Sequence, residues 1–415
     1  ARQFEAVLKG MLPDGSRVGS DGRDHRAGTD LTFSMPKSWS LLALVGGDKR
    51  ILDAYAAAVK ETLAWAEQNL AETRIEVRGR EKIAQTGNLL VALFQHDTNR
   101  NQEHNAHIHA VVANVTQGPD GKWRALRNDK LWEHNTLLNA MTMASFRLSV
   151  EKLGYEIGEI GKHGNFEAAG VPRHVRDAFS SRRAEIVAAL EGMNGKGLAA
   201  RNAANLMTRA AKQTIEDRGA LGQQWRDQAA RIGFDPAEVI ARANGRAAMD
   251  IGGVPTLGGF VRDVVEHGRG IAQALAERLG LRAGDPLVPR DLARKSPQEI
   301  AAVHAVASAV RHLSEREAAF APTDIYKVAL GFGLPAAMPE IERRVEQLLR
   351  QGELVRGKGV DRGLVTTVGA IATGQRIVAA VEAGRGMAPP IVDPAEEGAR
   401  GPGKGTRLGQ ARHPS

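Results

Sequence analysis

The chain has 415 residues, with 56 Lys plus Arg against 48 Asp plus Glu, for a formal charge of +8 at pH 7. A hydrophobic share of 42% and a charged share of 25% are ordinary for globular proteins and exclude wholesale disorder. Cysteine is absent, which excludes disulfide frameworks, thiolate-held metals and a thiol nucleophile, and no apolar run reaches the roughly 18 residues that span a bilayer.

In chain order, Asp30-Leu31-Thr32-Phe33-Ser34 reads as a strand that ends at Pro36. Asp48 to Thr73 carries helical spacing of Leu, Ala and Val. The apolar run Asn88 to Phe94, bounded by Gly87, reads as a second strand, and Val-rich His107 to Val115 as a third. Leu137 to Leu153 is again helical. This alternation predicts an α+β domain over residues 1–250, one sheet covered by helices, with Phe33 and Phe94 in the core. From Val171 to Arg246 the pattern is helical, basic and alanine-rich. Its recurring Arg182, Arg183, Arg201, Arg209, Lys212, Arg218 and Arg226 fit either solvated helix faces or a phosphate-tracking surface.

All five tryptophans precede residue 240, and Ile251-Gly252-Gly253-Val254-Pro255 reads as a linker, which places a domain boundary near 250. Helices are expected at Thr256–Leu279, Pro297–Leu313, Pro322–Phe332 and Pro339–Gln351. Two short apolar strands around a Gly-rich basic turn then follow, between Gly352 and Thr367. Residues 251–393 therefore read as a winged-helix-like unit, or as a helical domain with an incidental hairpin. Residues 394–415 read as a flexible basic tail. Within it, Gly398 to Thr406 approaches a phosphate-binding loop, but Gly405 stands where Ser or Thr is needed and no strand precedes it.

Four of the twelve histidines, His96, His104, His107 and His109, fall within fourteen residues. On a strand His107 and His109 project to one side, while Ile108, Ala110 and Val112 project to the other and can pack beneath helices. His96 ends the neighbouring apolar run, so antiparallel pairing would bring it beside the other two. Three neutral imidazoles without a fourth protein ligand leave coordination positions open, as a catalytic metal requires. The residues alone leave two readings, a metal centre or partly exposed strand histidines, and the donor set accepts Mn, Zn, Ni or Mg. His104 falls in the connecting loop, where solvent or DNA would face it.

The block Asp30-Leu31-Thr32-Phe33-Ser34-Met35-Pro36-Lys37-Ser38-Trp39-Ser40 precedes a second one, His96-Asp97-Thr98-Asn99-Arg100 to His107-Ile108-His109-Ala110-Val111-Val112-Ala113-Asn114. Together they resemble the TrwC/TraI-type (MobF) conjugative relaxases of the HUH endonuclease superfamily. Gly161-Lys162-His163-Gly164, Phe179-Ser180-Ser181-Arg182 and Met207-Thr208-Arg209 extend the resemblance over most of residues 4–250. The resemblance implies a central antiparallel sheet with flanking helices and helical fingers over DNA. It implies a metal triad of His96, His107 and His109, with Asp30 as the acid that orients a ligand or helps deprotonate the nucleophile. The divalent ion would be Mg or Mn first, with Zn or Ni also compatible. The implied reaction nicks one strand at the origin of transfer through a 5′-phosphotyrosyl bond.

Two departures stand out: Ala106-His107-Ile108-His109 replaces Leu-His-Thr-His, and His104 replaces an expected proline. The family tyrosines lie in a segment that would precede Ala1, and Tyr55, Tyr155 and Tyr326 match none of them, so the chain is expected to lack its nucleophile. The resemblance also implies a cytoplasmic bacterial protein, transferable with DNA and working with single-stranded origin DNA, accessory relaxosome proteins and a type IV secretion coupling protein. Expected DNA contacts are Lys37, Arg100, Lys162, His163, Arg182 and Arg209, with Trp39, Trp123, Arg124 and Phe179 as further candidates. A non-catalytic single-strand-binding remnant and a three-histidine metal-dependent hydrolase are the alternative functions.

Overall fold

The computed structural model describes residues 2–12, 15–18, 26–193, 197–208, 217–252, 285–289, 292 and 295–385. The expected helix at 256–279, the tail from 394 and Arg209 lie outside the described residues. A short helix α1 (Arg2–Leu8) is followed by β1 (Gly28–Ser34), α2 (Lys37–Leu44), α3 (Lys49–Leu70), β2 (Glu72–Val77), β3 (Arg80–Gln85), β4 (Val91–Thr98) and β5 (His104–Ala113). The chain continues through β6 (Thr116–Gln117), β7 (Trp123–Arg124), α4 (Asp129–Glu133), α5 (Asn135–Lys152), β8 (Ile157–Ile160) and β9 (Phe166–Ala168). Helices α6 (Arg173–Ala178), α7 (Ser181–Glu191), α8 (Leu198–Met207), α9 (Arg218–Arg231) and α10 (Pro236–Gly252) come next.

The central sheet has the order β1-β5-β4 and is antiparallel throughout. Along β5, His104, Ala106, Ile108, Ala110 and Val112 are buried and the residues between them are half-buried, the period of two that a sheet covered on one face requires. Leu31 and Phe33 of β1 join the buried side. Helices α2 and α3 cover that side, and α5 packs on α3. Trp39 of α2 is the centre of this layer: Phe146, Tyr155 and Phe166 meet its ring edge to face at 5.4–5.6 Å, and its indole N–H donates to the Phe166 carbonyl at 3.1 Å. An α+β fold with flanking helices is what the structure contains.

Several expectations change. Strand β4 starts later than the apolar run suggested and continues through His96, which leaves Phe94 on the uncovered side at 48% exposure rather than in the core. Trp39 and Phe179, candidates for base stacking, are fully buried. Helix α10 runs through the start of the expected linker to Gly252, since Ala247, Ala248 and Met249 favour continued helix. The hairpin β2–β3 was not anticipated at all.

After residue 285 come α11 (Pro297–Ser314), α12 (Pro322–Gly331), α13 (Met338–Gln351), β10 (Leu354–Arg356), β11 (Val365–Thr367) and α14 (Val368–Gly384). The expected hairpin is present as β10–β11, and a backbone bridge from Phe320 to Val365 widens it. This region shares one continuous apolar core with the first 250 residues. Helix α12 packs on α5, Trp65 donates to Glu342 at 2.8 Å, and Arg147 donates to the Gly333 carbonyl.

Gly154, just after α5, has φ +84°, and a Cβ there would stand 2.1 Å from the Ala243 carbonyl oxygen of α10. Both the left-handed backbone and the close approach demand glycine. We expect Gly154→Ala to lower the urea midpoint by the equivalent of at least about 1 kcal/mol with an unchanged slope. An unaltered midpoint would contradict this packing.

Candidate metal centre and nucleic-acid face

Register decides the site. Strand pairing sets His96 opposite His107, Phe94 opposite His109, and Thr32 and Ser34 of β1 opposite His109 and His107. All of these belong to the face that the helices leave uncovered. The three expected ligands are therefore brought together: ring centroids are 5.2 Å apart for His96–His107, 4.9 Å for His96–His109 and 5.0 Å for His107–His109. One nitrogen from each ring lies within 4.8 Å of the others.

Neighbouring groups set the tautomers of two rings. The Nδ1–H of His109 donates to Asp30 at 2.7 Å, and the Thr32 hydroxyl lies 3.1 Å from the same nitrogen. The Nδ1–H of His107 donates to the Asn105 carbonyl at 2.8 Å. With the proton held on Nδ1, the Nε2 lone pair of each ring is available to a metal, and the carboxylate fixes the orientation of its imidazole. Burial pushes the His107 imidazole below its ordinary pKa, which keeps it neutral, the form a metal needs. The donor set fits one divalent ion with open positions. Asp30 thus lies against a candidate ligand, His109.

His104 does not face solvent. Strand β5 begins three residues before the predicted start, and His104 shares parity with Ala106 and Ile108, so it points under the helices. Its ring lies 4.7 Å from that of Phe179 and 6.0 Å from that of Trp225, and its Nδ1 lies 3.2 Å from the Ser40 hydroxyl. Burial, and then the nearby Lys37 charge, hold its pKa well below the ordinary value. Lys37 likewise lies on the helix-covered side, contrary to its expected place beside DNA. Its ammonium donates to the His104 carbonyl at 2.8 Å, and desolvation lowers its pKa to about 8 against the pull of Glu103 and Glu167.

The turn between β4 and β5 anchors helices α7 and α9, which stand as fingers at this end of the sheet. The backbone N–H of Ser181 donates to Glu103, Asn101 donates to Ser181 and Glu185, Trp225 donates to the Gln102 carbonyl at 2.9 Å, and Arg218 pairs with Asp97. Arg100 and Arg182 meet there in a cleft of about 530 Å³, together with Asn99, Asn202, Asn205 and Leu206. Arg182 is fixed by the carbonyls of Asn205 and Thr208. Lys162 and His163 lie instead on an exposed turn between β8 and β9 that packs against α12.

Sequence reasoning missed the ribbon β2–β3. Arg78 and Gly79 both have positive φ, 54° and 71°, as a two-residue type I′ hairpin needs. The alternation Arg74-Ile75-Glu76-Val77 before an Arg-Gly pair was the available clue. The ribbon exposes Arg74, Arg78, Arg80 and Lys82. Beside it, Arg26, Arg74, Trp123, Arg124 and Arg127 line a second cleft of about 510 Å³.

An antiparallel sheet backed by helices, with three imidazoles on its open face and helical fingers at one end, defines the relaxase class of HUH folds. Residues 1–232 match the TrwC relaxase family, and the chain belongs to that family. It is 39% identical over 269 residues to the multifunctional conjugation protein TraI of Escherichia coli, covering 60% of this chain and 15% of that protein. A second TraI, from E. coli strain K12, is 35% identical over 86% of this chain and 19% of its own length. The chain thus spans less than a fifth of either relative. Among solved structures, the conjugative relaxase TrwC bound to OriT DNA, in a metal-bound form, is 38% identical with a TM-score of 0.54 over 57% of this chain and 83% of that one. TrwC with a 27-mer comprising the recognition hairpin and cleavage site gives a TM-score of 0.53 at 38% identity, over 57% of this chain and 86% of that one.

Calorimetric titration with Mn²⁺ should detect one site that His107→Ala abolishes and Asp30→Asn weakens by about 10–100-fold. Proton competition sets the pH dependence: because burial holds His107 neutral to below the ordinary histidine value of about 6.5, affinity should persist through neutral pH and decline only as the pH falls further and His107 becomes protonated. Undiminished affinity in His107→Ala would exclude the triplet as the site.

Proposed function

We propose that this chain is the DNA- and metal-binding part of a conjugative relaxase that nicks one strand at an origin of transfer. The observation that carries this reading is the His96–His107–His109 triplet with two Nδ1 atoms tied by Asp30 and Asn105, on the open face of a relaxase sheet. The metal-bound and OriT-bound TrwC structures support it. A bound divalent ion would withdraw charge from the non-bridging oxygens of the scissile phosphate. Asp30 holds the His109 ring in place, and the finger helices with Arg100 and Arg182 flank the strand's path.

The nucleophile is proposed to be a tyrosine hydroxyl from outside this sequence. It attacks phosphorus and forms a 5′-phosphotyrosyl bond; the bond to the leaving 3′ oxygen breaks, and that oxygen takes up a proton to become the 3′-hydroxyl. The tyrosines of this chain have other roles. Tyr55 packs its ring against Phe146, Tyr155 donates to Asp48 at 2.7 Å, and Tyr326 lies on α12 against the core. Among the described residues, no helix is long and apolar enough to cross a membrane. Accessory relaxosome proteins, a coupling protein, a cytoplasmic location and passage to recipient cells follow from family membership alone and are proposed on that basis.

The ribbon β2–β3 has the dimensions of a major-groove reader, and its basic tip suits duplex DNA next to the nicked strand. Arg80→Glu should weaken binding of a hairpin-bearing oligonucleotide and lower the slope of log K against log salt by about 1. An unchanged slope would remove the ribbon from the interface.

The test of function is incubation of the chain with Mn²⁺ and OriT oligonucleotide, alone and joined to a relative's tyrosine-bearing segment. A covalent protein–DNA product only in the joined form is expected. Cleavage without adduct would favour a metal-dependent hydrolase, and metal-independent binding without cleavage a DNA-binding remnant.

A further inference from the structure

Phe94 is 48% exposed on a strand whose partner carries two candidate metal ligands. Its cross-strand partner is His109, and His96 lies two residues further along the same strand and on the same face, roughly 6.6 Å away at Cα. The rest of that face consists of histidine, aspartate, asparagine, hydroxyl and small aliphatic side chains, so a phenyl ring stands out there. It packs on no other aromatic ring among the described residues. A lone exposed apolar residue needs no explanation on an ordinary surface. Beside a site built for a phosphate, a flat apolar ring has a specific use. The bases on either side of a phosphate held at the imidazoles must lie within a few ångströms of it, and stacking on a ring gives such a base a fixed position.

Resting on the DNA reading above, we propose that Phe94 is a positioning residue that stacks one unpaired base next to the phosphate held at the histidine triplet. The occupant is a nucleobase rather than a protein segment because the ring shares a face and a register row with the candidate metal ligands. Stacking does not discriminate between bases, so Phe94 fixes where the strand lies and leaves sequence choice to other contacts. It carries no charge, so it adds affinity without adding to the salt dependence.

The test compares two fluorescent single strands of equal length, oligothymidylate and an abasic tetrahydrofuran oligomer with the same phosphates. Phe94→Ala should lower affinity for oligothymidylate by about five- to 150-fold, the range carried by one stacked base, and leave the abasic strand unaffected. Both strands should keep their salt slopes. Phe94→Trp should restore binding and Phe94→Leu should not, which separates a stacking face from mere apolar bulk. Equal losses on both strands, no loss on either, or rescue by Leu would each overturn the proposal. If the unmodified protein binds neither strand, the DNA reading itself fails, a result distinct from any of these.

Discussion

The antiparallel pairing of β4 with β5 is the constraint on which the rest of the molecule depends. Because side chains alternate, one register choice sends Ile108, Ala110 and Val112 under the helices and gathers His96, His107 and His109 on the open side. A slip of one residue would reverse both assignments together, burying imidazoles and exposing the core. The apolar layer around Trp39 therefore fixes the geometry of the histidines from the opposite, helix-covered side of the sheet.

The same pairing organises the contacts around the turn from Asn99 to Gln102. Glu103 receives the start of α7, Gln102 receives Trp225 of α9, and Asp97 receives Arg218. Buried His104 sits behind that turn, against Phe179 and Trp225, where the family resemblance leads one to expect proline. Its ring links the sheet to the fingers through packing, and its suppressed basicity keeps it uncharged in that setting. Lys37 adds a second tie by capping the carbonyl of the same residue. A residue that looked like a DNA contact is thus part of the frame that holds the site.

Much of this was legible in the chain. The strands carrying Asp30, His96 and His107 were visible as apolar runs ended by turn residues, and the convergence of three histidines followed from period two and one antiparallel pairing. The position of Phe94 was legible too: placing His96 in the site commits Phe94 to the same face, so reading it as core conflicted with the pairing already assumed. His104 was misplaced because strand ends are set by which neighbour pairs with them, here Thr98 across a bulge, and local composition does not report that. Lys37 was expected at the DNA because the relaxase-like block carries it, and that block does not reveal the distant His104 carbonyl to which its ammonium donates. The ribbon was missed because its alternation is confined to Arg74-Ile75-Glu76-Val77, while the returning strand from Arg80 to Lys82 is charged and exposed and shows no apolar run.

On this reading the three histidines share one ion. X-ray absorption at the manganese edge of the Mn²⁺-loaded chain tests it most directly. Scattering from three imidazole nitrogens bound to the ion is expected, reduced to two in His96→Ala. An ion surrounded by oxygen alone, or a spectrum unchanged by that substitution, would contradict it.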